Sequence, residues 1–174
     1  METLAGRHAF DLDLYRKNDP AGKAKAVNIL AHNKLFKSGV YKIFNPIENK
    51  QCGDVIIQFA QDNSILEYEI ENAGYDRFEK NFNGEYPKVN VPMKDFESIP
   101  DGYFMAVDGG ESEYIDVPKR FYLIKVKYIL EAKIAANVNK KSDGKKENFY
   151  KVPSHLVERY QWNEKKGKYI RVYP

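Results

Sequence analysis

A chain of 174 residues with 43% hydrophobic and 30% charged residues is long enough to bury one substantial core and too well mixed to stay disordered. It has no run of about eighteen apolar residues, which excludes a membrane-spanning helix, and its first segment, METLAGRHAFDLDLYRK, has no apolar signal core. The single cysteine, Cys52, excludes an internal disulfide, and His8, His32 and His155 show no zinc spacing. A reducing, cytoplasmic setting is the expectation, the host cytoplasm if the chain is phage-encoded. The net charge of +3 conceals a division: residues 1–118 carry 13 Lys+Arg against 20 Asp+Glu, a net of −7, and residues 119–174 carry 15 against 5, a net of +10.

In chain order, Asp19 as N-cap and Pro20 in the first turn open a helix. The apolar spacing of Ala24, Val27, Ile29, Leu30 and Ala31 carries it to about Asn33. Val40 to Phe44 reads as a short strand closed by Asn45-Pro46, and Gly53 to Ala60 as a mostly apolar strand of a sheet interior. Gln61 to Ser64 is a polar turn, so Ile65 to Glu71 is expected to be the antiparallel hairpin partner of that strand. Tyr75 to Phe82 reads as a short helix, and the stretch with Gly84, Pro87, Pro92 and Pro100 as loop or edge strand.

Tyr103 to Asp108 is a strand, Gly109-Gly110 a turn and Tyr114 to Val117 a further strand. Phe121 to Tyr128 alternates like a strand and Ile129 to Val138 reads as helix, with no periodicity to fix the boundary. Asn139 to Glu147 is an exposed basic loop, Phe149 to Val152 a strand, Ser154 the cap of a helix through Gln161, and Tyr169 to Tyr173 a last strand. With no repeat and no low-complexity linker, residues 1–174 read as one domain. Its class is α/β (α+β), with one mixed central sheet flanked by helices.

The most informative segment is Ile65-Leu66-Glu67-Tyr68-Glu69-Ile70-Glu71. Strand side chains alternate, so Leu66, Tyr68 and Ile70 share an apolar face, and Glu67, Glu69 and Glu71 share the other. Asp54 opens the preceding strand, where hairpin pairing brings it toward Glu69 and Glu71. Carboxylates converging from adjacent strands make an oxygen-rich site suited to Mg²⁺ or Mn²⁺. Such a metal can activate water against a phosphodiester. The plainer reading is a solvated acidic face on an antiparallel strand.

This pattern resembles the PD-(D/E)XK nuclease superfamily, whose core has an acid on one strand and a (D/E)-x-K on the next, after a helix. Asp54 matches the first acid and Glu69 the second, over roughly residues 10–75. Glu71 stands where the family has lysine, and Gly53 stands where it has proline. The resemblance implies a restriction-endonuclease-like core and a metal-dependent endonuclease, with Asp54, Glu69 and Glu71 as catalytic and metal-holding residues. Lys42, Lys50 and Lys80 are candidates for a displaced lysine. Gly39 to Asn45 also looks like the opening of a GIY-YIG nuclease. The second tyrosine of that motif is missing, however, and a plain edge strand explains the segment better.

The tyrosine-rich basic third suits a polyanion, since lysines displace phosphate counterions and aromatic rings stack on bases. Lys119 and Arg120, fixed behind Pro118, and Lys140, Lys141, Lys145 and Lys146 in the loop are the candidate nucleic-acid contacts. The expected partner is nucleic acid, DNA first, with a homodimer left open and no membrane. The alternative function is a non-catalytic accessory factor of phage or mobile-element type, binding nucleic acid or protein, with an acidic surface strand.

Overall fold

A computed structural model describes residues 8–9, 21–32, 41–45, 54–59, 62–112, 114–140 and 146–173. The strands are β1 (His8–Ala9), β2 (Tyr41–Asn45), β3 (Val55–Phe59), β4 (Ile65–Ala73), β5 (Lys88–Pro92), β6 (Tyr103–Asp108), β7 (Arg120–Lys125), β8 (Lys133–Lys140), β9 (Lys146–Pro153), β10 (Glu158–Asn163) and β11 (Lys168–Val172). The helices are α1 (Ala21–His32), α2 (Tyr75–Phe82) and α3 (Val126–Glu131). The fold is α+β with a mixed central sheet of order β1-β2-β3-β4-β6-β7-β10-β11, in which β4 and β6 run parallel and the other pairs antiparallel. A second sheet, β5-β9-β8, was not foreseen in the sequence.

Alternation along the central strands makes both sheet faces apolar, and each acquires its own cover. Tyr68, Ile70, Met105, Val107, Phe121 and Leu123 face α1, which buries Ala26, Val27, Ile29 and Leu30 against them. On the opposite face Phe104, Ala106, Tyr122 and Ile124 meet Phe78 and Phe82 of α2 and Val89, Val91 and Val152 of the small sheet. The layers are therefore helix, central sheet, then a mixed layer of α2 and the small sheet. Gly22 allows α1 its close approach, because a Cβ there would stand 2.6 Å from Cβ of Asn72 on β4.

The β3–β4 hairpin forms as expected, in the register Val55↔Tyr68 through Gln58↔Ile65. Asp62 fixes its turn, accepting hydrogen bonds from the Ser64 amide at 2.9 Å and the Ser64 hydroxyl at 2.6 Å, while Asn63 takes φ 57°. The expected helices over α1 and α2 and the strand over β6 also form, and the proline-bearing stretch supplies β5 at the edge of the small sheet. Asp19 and Pro20 lie outside the described residues.

Four expectations fail. Tyr114 to Val117 is not a strand: the Ile115 amide turns back to the Ser112 carbonyl, and Asn28 of α1 binds the Ile115 carbonyl at 2.9 Å. Ile129 to Val138 is not one helix. α3 ends at Glu131 and β8 begins at Lys133, where pairing with β9 (Ile134↔Tyr150, Ala136↔Asn148) outweighs local helical spacing. The segment expected as a basic loop gives its two ends to that hairpin, Lys140 to β8 and Lys146 to β9, with Lys141 and Lys145 outside the described residues.

Ser154 does not cap a long helix either. Its hydroxyl and carbonyl accept hydrogen bonds from the Arg159 guanidinium, so a three-residue 3-10 turn (Ser154–Leu156) gives way to β10. No helix among the described residues is long and apolar enough to cross a membrane.

Candidate active site at the end of the β3–β4 ladder

β4 runs beyond β3, and the ladder stops at Val55↔Tyr68. One further step of that register sets Asp54 opposite Glu69. There the Asp54 carboxylate replaces the missing strand: its Oδ2 accepts the Ile70 amide at 2.9 Å, a donor that the ladder would otherwise leave unpaired. Its Oδ1 lies 3.2 Å from the Lys23 ammonium, which reaches over from α1.

Glu69 shares this corner with Asp54. Burial first, then the negative charge of Asp54 and a hydrogen bond with it, push the Glu69 carboxyl up to about 7, against the pull of Lys94 and Lys23. Its side chain is 15% exposed, so water relieves the repulsion only in part. The Lys94 ammonium, from the segment just after β5, sits 3.8 Å from Glu69 Oε2 and donates to the Ile70 carbonyl at 2.7 Å. Two carboxylates, one carbonyl oxygen and two ammonium groups thus meet at one end of the hairpin.

Glu71 follows Glu69 on the same face of β4, but its carboxylate pairs with Arg77 of α2. Glu67 lies opposite Ile56 on β3, further from the ladder's end. Among the described residues no three His, Cys, Asp or Glu side chains group as a metal-binding set. The structure brings together Asp54 and Glu69 and gives Glu71 to a neighbouring ion pair.

Lys94 and Lys23 escaped sequence reasoning. Lys94 lies 24 residues beyond Ile70, after a helix and a strand of another sheet, so no local spacing points to it. Lys23 sits on a helix whose other side chains are largely buried, and no spacing relative to Asp54 marks it in the sequence. Of the lysines considered for this role, Lys80 is exposed on α2 with its ammonium 6.0 Å from the Tyr86 ring centroid. Lys50 and the side chain of Lys42 lie outside the described residues.

The expected phosphate contacts divide as well. Lys119 is exposed just before β7, with its amide donating to the Glu111 carboxylate. Arg120 is committed elsewhere: its guanidinium pairs with Glu79 and, at 3.1 Å, with Asp108, and lies over the rings of Phe78 and Phe82 at 5.3 and 5.1 Å. Of Lys140 and Lys146 only the strand positions are described. No protein-family model matches this chain, and neither does any curated protein or solved structure.

Proposed function

We propose that the chain is a metal-dependent phosphodiesterase, an endonuclease acting on DNA, with Asp54 and Glu69 as its metal-holding acids and Lys94 as the cation beside them. The observation that carries this reading is the carboxylate pair, with Glu69 raised to about 7 at a corner where oxygens from two strands converge. Two features support the PD-(D/E)XK resemblance: α1 precedes the hairpin, and Asp54, immediately before β3, stands beside Glu69 of the adjacent β4. Lys94 supplies, from a remote segment, the ammonium that the motif position occupied by Glu71 lacks.

The donor set suits Mg²⁺ or Mn²⁺. Asp54, Glu69 and the Ile70 carbonyl offer hard oxygen ligands, and small divalent ions ordinarily complete their shell with water. Such an ion, when bound, supplies Lewis-acid polarisation of a phosphate and an acidified water. The chain's own groups do the rest. Asp54, anchored by the Ile70 amide, fixes the orientation of the pair. Glu69, poised near neutral pH, can hold or release a proton at its carboxylate. Lys94, a point charge on a flexible stem, can leave the Ile70 carbonyl to meet a phosphate oxygen.

One observation favours the non-catalytic alternative: Asp54, Glu69 and Glu71 each already face a cation, as charges on a purely structural strand would. Cleavage of duplex and single-stranded DNA and RNA, with and without millimolar Mg²⁺, decides between the two. Metal-dependent products that vanish in Glu69→Gln are expected; metal-independent binding without cleavage would establish the accessory factor.

A further inference from the structure

A second charged constellation lies away from the carboxylate pair, where the end of α2, the 3-10 turn before β10 and the end of β11 meet. Gly84, at φ 66°, carries the chain out of α2 through a conformation that side-chain-bearing residues rarely adopt, and so delivers Tyr86 and Pro87 to the rim. The resulting cavity of about 380 Å³ is lined by Tyr86, His155, Arg159, Arg171 and Tyr173 among others. That volume lies within the range of small-molecule sites.

Arg159 is the unusual member. It is 1% exposed, and among the described residues its guanidinium hydrogen-bonds neutral oxygens alone: the Asn81 carbonyl at 2.8 and 3.0 Å, the Ser154 carbonyl at 3.1 Å and the Ser154 hydroxyl at 2.7 Å. Among the described residues no carboxylate lies within ion-pair distance of it. Burial accordingly pulls its proton affinity down. A buried cation without a counter-ion casts a strong positive potential into the nearest cavity, because the surrounding protein screens it poorly.

Arg171 stands on the cavity wall, more than a third exposed. Among the described residues its carboxylate partner is Glu158, 3.7 Å away and too long for a hydrogen bond, so the guanidinium remains available. Two aromatic rings complete the site. Tyr86 is 50% exposed, with the Lys80 ammonium 6.0 Å from its centroid, and Tyr173 is 78% exposed, with the Arg171 guanidinium 5.2 Å from its centroid. Positive potential behind a wall of exposed tyrosines matches a ligand that carries a phosphate and a flat ring.

We propose that this cavity is a nucleotide-binding site, with Arg171 and His155 contacting a phosphate over the buried Arg159 and with Tyr86 or Tyr173 stacking on the base. The site is independent of the carboxylate pair and holds whether or not the chain cleaves DNA. Its ligand has two sources, a free mononucleotide or the phosphorylated end of a strand.

Calorimetric titration with a nucleoside monophosphate, with a short single strand bearing or lacking a terminal phosphate, and with inorganic phosphate separates them. Both phosphorylated nucleotide ligands are expected to bind, the unphosphorylated strand at least about tenfold more weakly. Arg171→Ala should weaken binding about tenfold or more, through loss of a charge-assisted contact. Tyr86→Ala and Tyr173→Ala together should cost a similar factor through lost stacking. These three side chains are exposed, so their replacement leaves the fold intact, as circular dichroism will check. Glu69→Gln should leave the titration unchanged.

Preference for the strand over the mononucleotide assigns the site to a nucleic-acid end, and the reverse assigns it to a free nucleotide. The proposal is overturned if no phosphorylated nucleotide binds at millimolar concentration, if Arg171→Ala and the tyrosine variants bind like the wild type, or if inorganic phosphate binds as tightly as the nucleotide. Loss of binding in Glu69→Gln would also overturn it, by moving the ligand to the carboxylate pair.

Discussion

Around Arg120 and around Glu69 the chain brings carboxylates and cations together in opposite ways. Arg120 presents a planar fork to Glu79 and Asp108 and rests on the rings of Phe78 and Phe82, so one side chain satisfies two acids and packs as well. Glu79 is held below the usual carboxylate range by its hydrogen bond to Arg120, and Arg120 is raised in turn, chiefly by Glu79. At the hairpin end, two lysines face two acids at 3.2 and 3.8 Å, and the shorter bond of Lys94 goes to a carbonyl instead. There Glu69 moves up, not down.

Counted as formal charges, the second group is the better balanced of the two. Geometry, not charge count, separates an ion cluster that holds the fold together from one left in tension. A group in tension is the one that a metal or a proton can relieve.

The sharpest way to break this comparison is to remove one acid from the group in tension. Glu69→Gln and Asp54→Asn should each reduce metal-dependent cleavage by at least about a hundredfold, measured as initial rates on a labelled duplex. Glu69→Gln should leave the melting temperature equal or higher, since it removes repulsion. Asp54→Asn keeps an oxygen for the Ile70 amide and should fold too. Cleavage at wild-type rate in both variants would return the pair to the role of a strand cap.

Lys94 gives the next largest effect. Lys94→Ala should slow cleavage about ten- to a hundredfold, because the cation beside the acids is lost. It should also increase the shift in melting temperature produced by Mg²⁺, because the ammonium no longer competes for the Ile70 carbonyl and Glu69. A smaller Mg²⁺ shift would show that Lys94 supports the metal-holding arrangement rather than standing in its place.

The same comparison predicts opposite pH behaviour. Glu69 binds its proton more tightly folded than unfolded, so its contribution to stability is complete below 4.5 and is lost as pH rises through about 7. Partial exposure limits the size to on the order of 1 kcal/mol, a fall of about 2–4 °C in melting temperature between pH 5 and 8. Glu111, raised by burial, adds in the same direction. The slope should flatten in Glu69→Gln. Glu79 works the other way: its pKa is lowered, so its contribution is lost as the solution becomes acidic.

The difference between the two groups was only half legible in the sequence. Alternation in ILEYEIE and the polar turn before it made the hairpin legible and brought Asp54 toward Glu69 and Glu71; a two-residue slip keeps the same face buried, so the register that sets Asp54 beside Glu69 is seen only in the fold. The helix over residues 75–82 was readable as well, and it buries Phe78 and Phe82. What failed was decided at long range. β8 exists because β9 pairs with it, and Ser154 caps no helix because Arg159 takes its oxygens. Lys94 reaches Glu69 only because β5 joins a second sheet. Arg120 looked like a surface cation from its place behind Pro118, and only the packing of α2 on β7 shows that it is occupied.

Arg120 and Lys119 are neighbours in sequence, and separating their effects is the finest test of the comparison. Arg120→Met keeps the stem over Phe78 and Phe82 but removes the guanidinium that Glu79 and Asp108 share. Since the group is partly exposed, the expected loss is about 1–2 kcal/mol, read as a lower midpoint in urea. Its effect on nucleic-acid binding should be small, because a guanidinium shared between two carboxylates offers little charge to a phosphate.

Lys119 is exposed; its backbone amide donates to the Glu111 carboxylate and its carbonyl accepts from the Trp162 amide, which leaves the ammonium on the surface. Lys119→Ala should leave stability unchanged. If the side chain meets a phosphate, it should reduce the slope of log binding constant against log salt by about 0.9 on duplex and about 0.7 on single strands. A salt slope that falls with Arg120→Met and not with Lys119→Ala would mean that the guanidinium leaves its carboxylates to bind DNA, and the distinction between a holding cluster and a working one would fail at this position.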